Sequence, residues 1–188
     1  MSQAAAPATS IARPLVLRTV IVLSMTLVLA LSARVQVPFW PVPMTLQTLA
    51  VLGIAGLAGP QIAGAAMLGY LAEGAAGLPV FAGTPLHGVG ISYLAGPTGG
   101  YLAGMALASV VVGVLVRRAA AHPLRIGAAM TLGIAIVYAL GAAWLSRFVP
   151  QDKLLALGVL PFLLGDAVKA TLATALVLAF GRGARAAR

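Results

Sequence analysis

The sequence predicts an all-α membrane protein, a bundle of six transmembrane helices. Its residues are 61% hydrophobic and only 8% charged, and the mean hydropathy is +1.06, which is far more apolar than a soluble domain. The apolar residues fall into runs, of which several are long enough to cross a bilayer. The 22 glycines agree with this class, since small residues let membrane helices pack closely. We expect residues 1–188 to form a single integral membrane domain.

The order of the runs predicts where each helix lies. Residues 1–14 are small and polar and are expected to form a flexible N-terminal lead. The first run has a basic start and small residues at its end, so a cleaved secretory signal is an alternative interpretation of it. Prolines and arginines separate the later runs, and the ends of the second and third are the least defined. The six runs cover approximately residues 14–35, 44–59, 60–74, 101–116, 126–145 and 157–180.

The formal net charge of +9 indicates topology rather than nucleic-acid binding. Most Lys and Arg lie at the ends of apolar runs, so we expect a lipid bilayer and no nucleic acid as the surroundings. Cytoplasmic loops carry the excess of basic residues. With the N-terminus taken as cytoplasmic, only Arg34, Arg147 and Lys153 lie outside, and both termini are expected in the cytoplasm. We expect the membrane to be a bacterial inner (plasma) membrane. The arginines then inside are at positions 13, 18, 117, 118, 125, 182, 185 and 188.

Two loops are expected on the outer side. The first, residues 35–43, contains three prolines, which prevent a continuing helix. The second, residues 74–100, is rich in Gly and Pro, and its Phe81 and Tyr93 favour a packed lid over a disordered loop. Together these loops would cover the outer end of the last helix.

Asp166 and Lys169 form the central feature of the sequence. They lie three residues apart on one face of the last apolar run, and charged groups within the membrane are costly and usually functional. At 1.5 Å per residue they would lie about 12 to 18 Å into that helix, as the floor of a pocket beneath the two loops. A binding site is one interpretation; a structural ion pair that neutralises itself is the other.

Further polar candidates lie near the outer ends of other runs. Thr45 is either a ligand contact or a helix cap, whereas Gln47 lies deeper, where an amide needs a partner. Thr98 and Tyr101 belong to a glycine-rich segment, Gly96-Pro-Thr-Gly-Gly-Tyr101, that lacks the Lys of a phosphate-binding loop, so we expect no ATP binding by that motif. Glu73 is a weaker ligand candidate, because it could simply face water.

Other chemistries find little support. The chain has no cysteine, which excludes disulfides and thiolate metal sites, and His87 and His122 have no acidic neighbours in sequence, so we expect neither a metal nor a cofactor. An enzyme using Asp166 or His87 would need a second reactive cluster that the sequence does not supply. A purely structural bundle would leave the intramembrane charges with no role beyond each other.

Four motifs occur in order along the chain: Pro41-Val-Pro-Met-Thr-Leu-Gln47, Gly77-Leu-Pro-Val-Phe-Ala-Gly83, Gly96-Pro-Thr-Gly-Gly-Tyr101 and Pro161-Phe-Leu-Leu-Gly-Asp-Ala-Val-Lys169. They resemble the signatures of the BioY family, the biotin-binding S components of energy-coupling factor (ECF) transporters. The resemblance implies six transmembrane helices, cytoplasmic termini and a vitamin pocket near the outer face. It also implies a membrane-embedded T component and separate ATPase subunits as partners.

The resemblance makes Asp166 and Lys169 the leading biotin ligands. Gln47, Tyr101, Thr98 and Thr45 are further candidates for substrate binding, and Phe81 is expected to pack on the ring system.

One departure concerns the first helix, where S components commonly carry Ala-x-x-x-Ala for docking the T component and this chain has Thr26 and Ala30. Two interpretations follow from this departure: docking on a variant surface, or a solitary biotin transporter that works without the ATPase module. An S component for another small vitamin and a homo-oligomer are separate alternatives.

Overall fold

The structure, a computed structural model, describes residues 9–86 and 88–186. Within these residues the chain forms helices and one short antiparallel ladder, in which Gln36 pairs with Thr45 and Val37 with Met44. The elements are α1 (Thr9–Arg34), β1 (Gln36–Val37), β2 (Met44–Thr45), α2 (Gln47–Ala58), α3 (Pro60–Ala75), α4 (Ile91–Ala95), α5 (Gly99–Arg118), α6 (Pro123–Leu145), α7 (Leu154–Gly158) and α8 (Leu163–Ala186).

The six long helices α1, α2, α3, α5, α6 and α8 pack into one bundle, which confirms the predicted all-α fold. In the described part of the chain, four stretches are long and apolar enough to cross a membrane: Leu15–Arg34, Gly99–Arg118, Pro123–Leu145 and Gln151–Gly181. Helices α2 and α3 are shorter, at 12 and 16 residues. The protein is thus a multi-pass membrane protein in which two of the six helices are short.

The junction of α2 and α3 explains why these helices are short. Gly59 ends α2 with a φ of 84°, a conformation that glycine adopts without steric cost, and Pro60 begins α3 at a position where its missing N–H leaves no bond unmade. A Cβ on Gly113 of α5 would lie only 2.7 Å from the backbone nitrogen of Pro60. The junction therefore packs directly on the α5 backbone.

The last apolar run is not one continuous helix, contrary to the sequence-based prediction. Helix α7 ends at Gly158, a 3-10 turn spans Leu160–Phe162, and α8 begins only at Leu163. Pro161 accounts for the break, because proline has no N–H and disfavours the helical conformation of the residue before it. The predicted depth of 12 to 18 Å for Asp166 is therefore wrong, since Asp166 lies in the first turn of α8.

The N-terminal region differs from its prediction in one respect. Helix α1 begins at Thr9, inside the segment 1–14 that we expected to be a flexible lead, and residues 1–8 lie outside the described residues. Farther along α1, Thr26 is buried and donates a hydrogen bond of 2.8 Å to Oε1 of Glu73 on α3. Thr26 thus packs inside the bundle, so it is not part of an exposed docking face with Ala30.

Candidate functional site

Asp166 and Lys169 form a buried ion pair on α8. Lys169 Nζ lies 2.8 Å from Asp166 Oδ1, and the two residues are only 8% and 4% exposed. The position of Asp166 in the first turn of α8 favours its charge, since the N-terminal end of a helix carries a partial positive charge. Lys169 Nζ also donates a hydrogen bond of 2.6 Å to the backbone carbonyl of Thr45.

Two further side chains bind the carboxylate of Asp166. The Thr48 hydroxyl of α2 donates to Oδ1 at 3.1 Å, and the Tyr138 hydroxyl of α6 donates to Oδ2 at 2.6 Å. A carboxylate offers about four lone-pair positions, two on each oxygen. Among the described residues Oδ1 therefore accepts two bonds and Oδ2 one, which leaves one acceptor position on Oδ2. By the same count the Lys169 ammonium retains one of its three N–H donors.

The ion pair lies in the wall of a small cavity, which we call the inner cavity, of about 40 Å³. Such a volume has room for a few water molecules and is well below the size of a typical ligand pocket. Its polar lining residues are Thr45, Gln47, Thr48, Thr98, Tyr101, Tyr138, Asp166 and Lys169, and its apolar lining residues are Val42, Pro43, Met44, Ala82, Leu102, Met105, Val137 and Phe162.

A larger cavity of about 370 Å³, the vestibule, lies next to the inner cavity. The proline loop contributes Phe39, Trp40, Pro41 and Pro43 to its wall, and the glycine-rich loop contributes residues from Ser92 to Thr98. Pro43 and Thr98 line both cavities. The prediction that the two loops come together over the pair on the last helix is confirmed.

Gln47 and Thr45 line the inner cavity and belong to one hydrogen-bond network. Gln47 Nε2 donates to the Tyr70 hydroxyl at 2.9 Å, and the Tyr70 hydroxyl donates to the carbonyl of Val80 at 3.1 Å. The Thr45 hydroxyl lies 3.4 Å from Gln47 Oε1 and accepts the Gln47 backbone N–H at 3.3 Å. Thr45 is not the N-cap of α2, which is Leu46 and has no side-chain cap bond, so the helix-cap interpretation is wrong. Thr45 lines the cavity instead.

Tyr101 and Thr98 also line the inner cavity, at the start of α5. The hydroxyl of Tyr101 donates to the carbonyl of Gly158 at 2.7 Å, so the side chain presents its ring rather than a free hydroxyl. This bond fixes α7 against α5 and holds the interrupted segment in front of α8. Of the seven candidates from the sequence, six line this one cavity.

Phe81 is the candidate that does not line it. Its side chain is 0% exposed, stacks on Tyr93 with ring centroids 4.8 Å apart and meets the edge of Tyr70 at 5.3 Å. Arg34 of α1 also anchors this loop, donating to the carbonyls of Thr84, at 3.1 Å, and Pro79. Phe81 therefore anchors the glycine-rich loop through its contacts with Tyr70 and Tyr93, and its neighbour Ala82 lines the inner cavity.

Sequence reasoning missed Thr48 and Tyr138, the two residues that hold the Asp166 carboxylate. The sequence does mark both residues, since Thr48 follows Gln47 directly and Tyr138 is a polar aromatic residue within the apolar helix α6. It does not identify their partner, because Asp166 lies 118 positions from Thr48 and 28 positions from Tyr138. His87 lies outside the described residues. Within the described ranges, no three His, Asp or Glu side chains gather in a way that could hold a metal.

Comparison with known proteins identifies the family. The family model described as "BioY family" matches residues 2–186. The chain belongs to the BioY family. Residues of all four motifs that carried the resemblance line the inner cavity or support its loops, so the BioY signatures and the site coincide.

Several curated BioY proteins are similar over most of their length. The chain is 39% identical over 151 residues to "Probable biotin transporter BioY" of Pyrococcus horikoshii, covering 80% of this chain and 86% of that protein. It is 34% identical over 154 residues to "Biotin transporter BioY" of Thermotoga maritima, covering 81% and 89%. The Rhodobacter capsulatus "Biotin transporter BioY" is 37% identical over 165 residues, covering 80% and 85%. These relatives are named as transporters, which agrees with the prediction that the chain is not an enzyme.

The fold matches a solved structure titled "Crystal structure at 2.1 A of the S-component for biotin from an ECF-type ABC transporter". The TM-score is 0.79 at 24% sequence identity, with 90% of this chain and 93% of that chain covered. The chain therefore has the fold of an S component.

Proposed function

We propose that this protein is a biotin-binding membrane subunit, an S component that mediates biotin uptake. The observation that carries the proposal is the buried Asp166–Lys169 pair, which opens onto a cavity covered by two loops and retains one acceptor and one donor. The cavity beside the pair gives these two groups access to a ligand. Membership in the BioY family and the names of its relatives support biotin as the ligand.

The chemistry of biotin complements the pair. Its fused ureido ring offers N–H donors and one carbonyl acceptor on adjacent atoms, so Asp166 accepts from N–H and Lys169 donates to the carbonyl. The free position on Oδ2 takes the first N–H without displacing Thr48 or Tyr138. Lys169 binding the valerate carboxylate is the second arrangement consistent with its remaining N–H. The rest of the polar wall of the inner cavity comes from Gln47, Thr98, Thr45 and Tyr101, while Phe81 supports the glycine-rich loop.

Binding requires the covering loops to move. The inner cavity of about 40 Å³ does not hold a molecule the size of biotin, so the proline loop and the glycine-rich loop separate to admit it from the vestibule. A ligand stabilises the arrangement that it binds best, and biotin would therefore order both loops around the ring. This mechanism places the entrance at the vestibule end of α8.

Release into the cell needs energy from another source, because the sequence has no ATP-binding motif of its own. We place the protein in the bacterial inner membrane as one integral domain, with both termini cytoplasmic and the vestibule outside, as the distribution of arginines predicts. A T component and ATPase subunits are the proposed partners. A solitary transporter, a second vitamin and a homo-oligomer are the alternatives.

Equilibrium binding of radiolabelled biotin to the purified protein in detergent tests the proposal. We expect saturable retention approaching one biotin per chain, with biotin recovered chemically unchanged. Absence of saturable binding would overturn it, and turnover would favour an enzyme. Biotin uptake by cells with and without ECF ATPase subunits then separates the S component from the solitary transporter, since only the latter accumulates biotin alone.

A further inference from the structure

A third cavity, which we call the lateral groove, lies between α6 and α8 and measures about 650 Å³. Among the described residues, Tyr138 and Asp166 are the two that line both the groove and the inner cavity. The contact between their side chains is therefore the partition between the two spaces. Asp166 can face either one, depending on what holds its carboxylate.

The groove offers the carboxylate no comparable partner. Its hydroxyl-bearing residues Thr131, Thr171 and Thr174 each donate to a carbonyl one turn back in their own helix, at 3.1, 2.9 and 2.8 Å. The exception is Tyr138, which lines both spaces and donates to Oδ2 at 2.6 Å, the shortest of the bonds to this carboxylate. Short hydrogen bonds to ionised groups are the strong ones.

The bond from Tyr138 also selects the oxygen that a ligand meets. Thr48 and Lys169 occupy both lone-pair positions of Oδ1, so the unoccupied position is on the oxygen that Tyr138 holds. Fixing Oδ2 from α6 sets the direction of that last position relative to Lys169 on α8. Thr48 and Lys169 contact Oδ1, so Tyr138 is the described side chain that contacts Oδ2 directly.

We propose that Tyr138 is a positioning residue, whose hydroxyl holds Asp166 Oδ2 towards the inner cavity and so aims its free acceptor at the ligand. The role in ligand binding rests on the proposed function. The predicted ligand chemistry is an N–H donor beside a carbonyl, as in a cyclic urea or lactam. Such a ligand meets an acceptor and a donor that are already oriented, and this lowers the cost of ordering on binding.

The chain itself permits a direct test of the Tyr138–Asp166 bond, because Asp152 and Asp166 are its only aspartates. Protein labelled with ¹³C at the aspartate side-chain carboxyl should give two carbon signals. We expect Tyr138→Phe, which removes only the hydroxyl, to move the Asp166 signal and leave that of Asp152 in place. The control is Thr174→Val in the wall of the groove, which should move neither. An unmoved Asp166 signal in Tyr138→Phe would overturn the positioning role.

Biotin binding by the same variants tests whether the orientation matters to a ligand. Tyr138→Phe should weaken binding about tenfold, as expected for a hydrogen bond to a charged group, and Thr174→Val should leave it within about twofold. In the Asp166→Asn background the Tyr138 substitution should cost less than twofold, because the two effects are coupled. Equal losses in both backgrounds, or an unchanged affinity in Tyr138→Phe, would show a packing role only and refute the inference.

A failure of the positioning role of Tyr138 can be distinguished from a failure of the proposed biotin-binding function. A wild-type protein that does not bind biotin contradicts the function, while the carbon signals still decide whether Tyr138 orients Asp166. If Tyr138→Phe does not fold, Tyr138→Met also lacks the hydroxyl and carries the same expectations for both measurements.

Discussion

At the scale of single residues, the Asp166 carboxylate is the point on which the site depends. It receives donors from α2, α6 and its own helix, so three separate parts of the chain fix one side chain. Among the described residues, every buried side-chain nitrogen and oxygen has a hydrogen-bond partner. The site is thus stable without a ligand, and a ligand adds bonds at the two positions left on Asp166 and Lys169.

Replacing Asp166 with Asn should weaken biotin binding by about 1.5 to 3 kcal/mol, because a charged acceptor in a buried position is lost. Every 1.4 kcal/mol is tenfold in affinity, so the dissociation constant should rise by one to two orders of magnitude in equilibrium binding. Asp152→Asn is the matched control, since Asp152 is exposed in the turn before α7. An affinity for Asp166→Asn within a few-fold of the parent would contradict the site assignment.

The ion pair gives a second prediction, on stability. Lys169→Met alone leaves the Asp166 charge buried without its cation, which typically costs 3 to about 5 kcal/mol, whereas Lys169→Met combined with Asp166→Asn removes both charges. Thermal unfolding in detergent should therefore show a large loss for the single variant and partial recovery in the double variant, which still should not bind biotin. Lys153→Met, at an exposed position, is the control. A double variant less stable than the single one would argue against the pairing.

At the scale of elements, the glycine-rich loop is anchored by specific side-chain contacts rather than loosely packed. Phe81 is enclosed by Tyr70 and Tyr93, and the Tyr93 hydroxyl donates to the carbonyl of Ala82 at 2.9 Å. Burial raises the pKa of that hydroxyl, so it remains a donor at neutral pH. With Arg34 attached to the same loop, the moving parts during binding are expected to be the proline loop and the residues around Thr98.

Arg34→Met should make the glycine-rich loop less rigidly held, since two of its backbone carbonyls lose their charged donor. Hydrogen exchange of residues 79–84 should become faster, and biotin should dissociate faster because Ala82 lines the cavity. Arg147→Met is the control, because Arg147 lies over the Trp144 ring rather than on this loop. Exchange that stays at the parent rate would show that the aromatic rings alone hold the loop.

At the scale of the whole molecule, the bundle brings the two loops and the start of α8 to one end. The pocket is formed by parts of the chain that begin at Val42 and end at Lys169, so it exists only when α2, α5, α6 and α8 are assembled. The opposite end has the turn between α5 and α6 and the junction of α2 with α3. This polarity is what an uptake protein that binds on one side of a membrane requires.

Because the chain has no cysteine, single cysteines can report the orientation without background. Gln151→Cys, near the vestibule end, should react with a membrane-impermeant maleimide in intact cells. Ala121→Cys, in the turn between α5 and α6, should react only after the membrane is permeabilised. The reverse pattern would invert the proposed topology and place the vestibule in the cytoplasm.

Much of the fold was predictable from the order of apolar runs, because each membrane helix must satisfy its own backbone and be apolar over its length. Five of the six predicted helices follow from that rule, and the choice of Asp166 and Lys169 follows from the cost of charge in lipid. The grouping of Gln47, Thr45, Thr98 and Tyr101 with them came from the loops and the family resemblance. The sixth differs because Pro161 breaks the helix between α7 and α8, and hydropathy does not register a missing N–H.

The sequence by itself determined that the protein spans a membrane and that one acid and one base share a helix within it. Only the tertiary structure decided that Thr48 and Tyr138 hold the acid, that Phe81 supports a loop instead of facing the cavity, and that Thr26 faces α3. Hydropathy and spacing report what a helix needs from its surroundings. Which distant side chain meets that need depends on how the helices pack, and no local pattern contains that information.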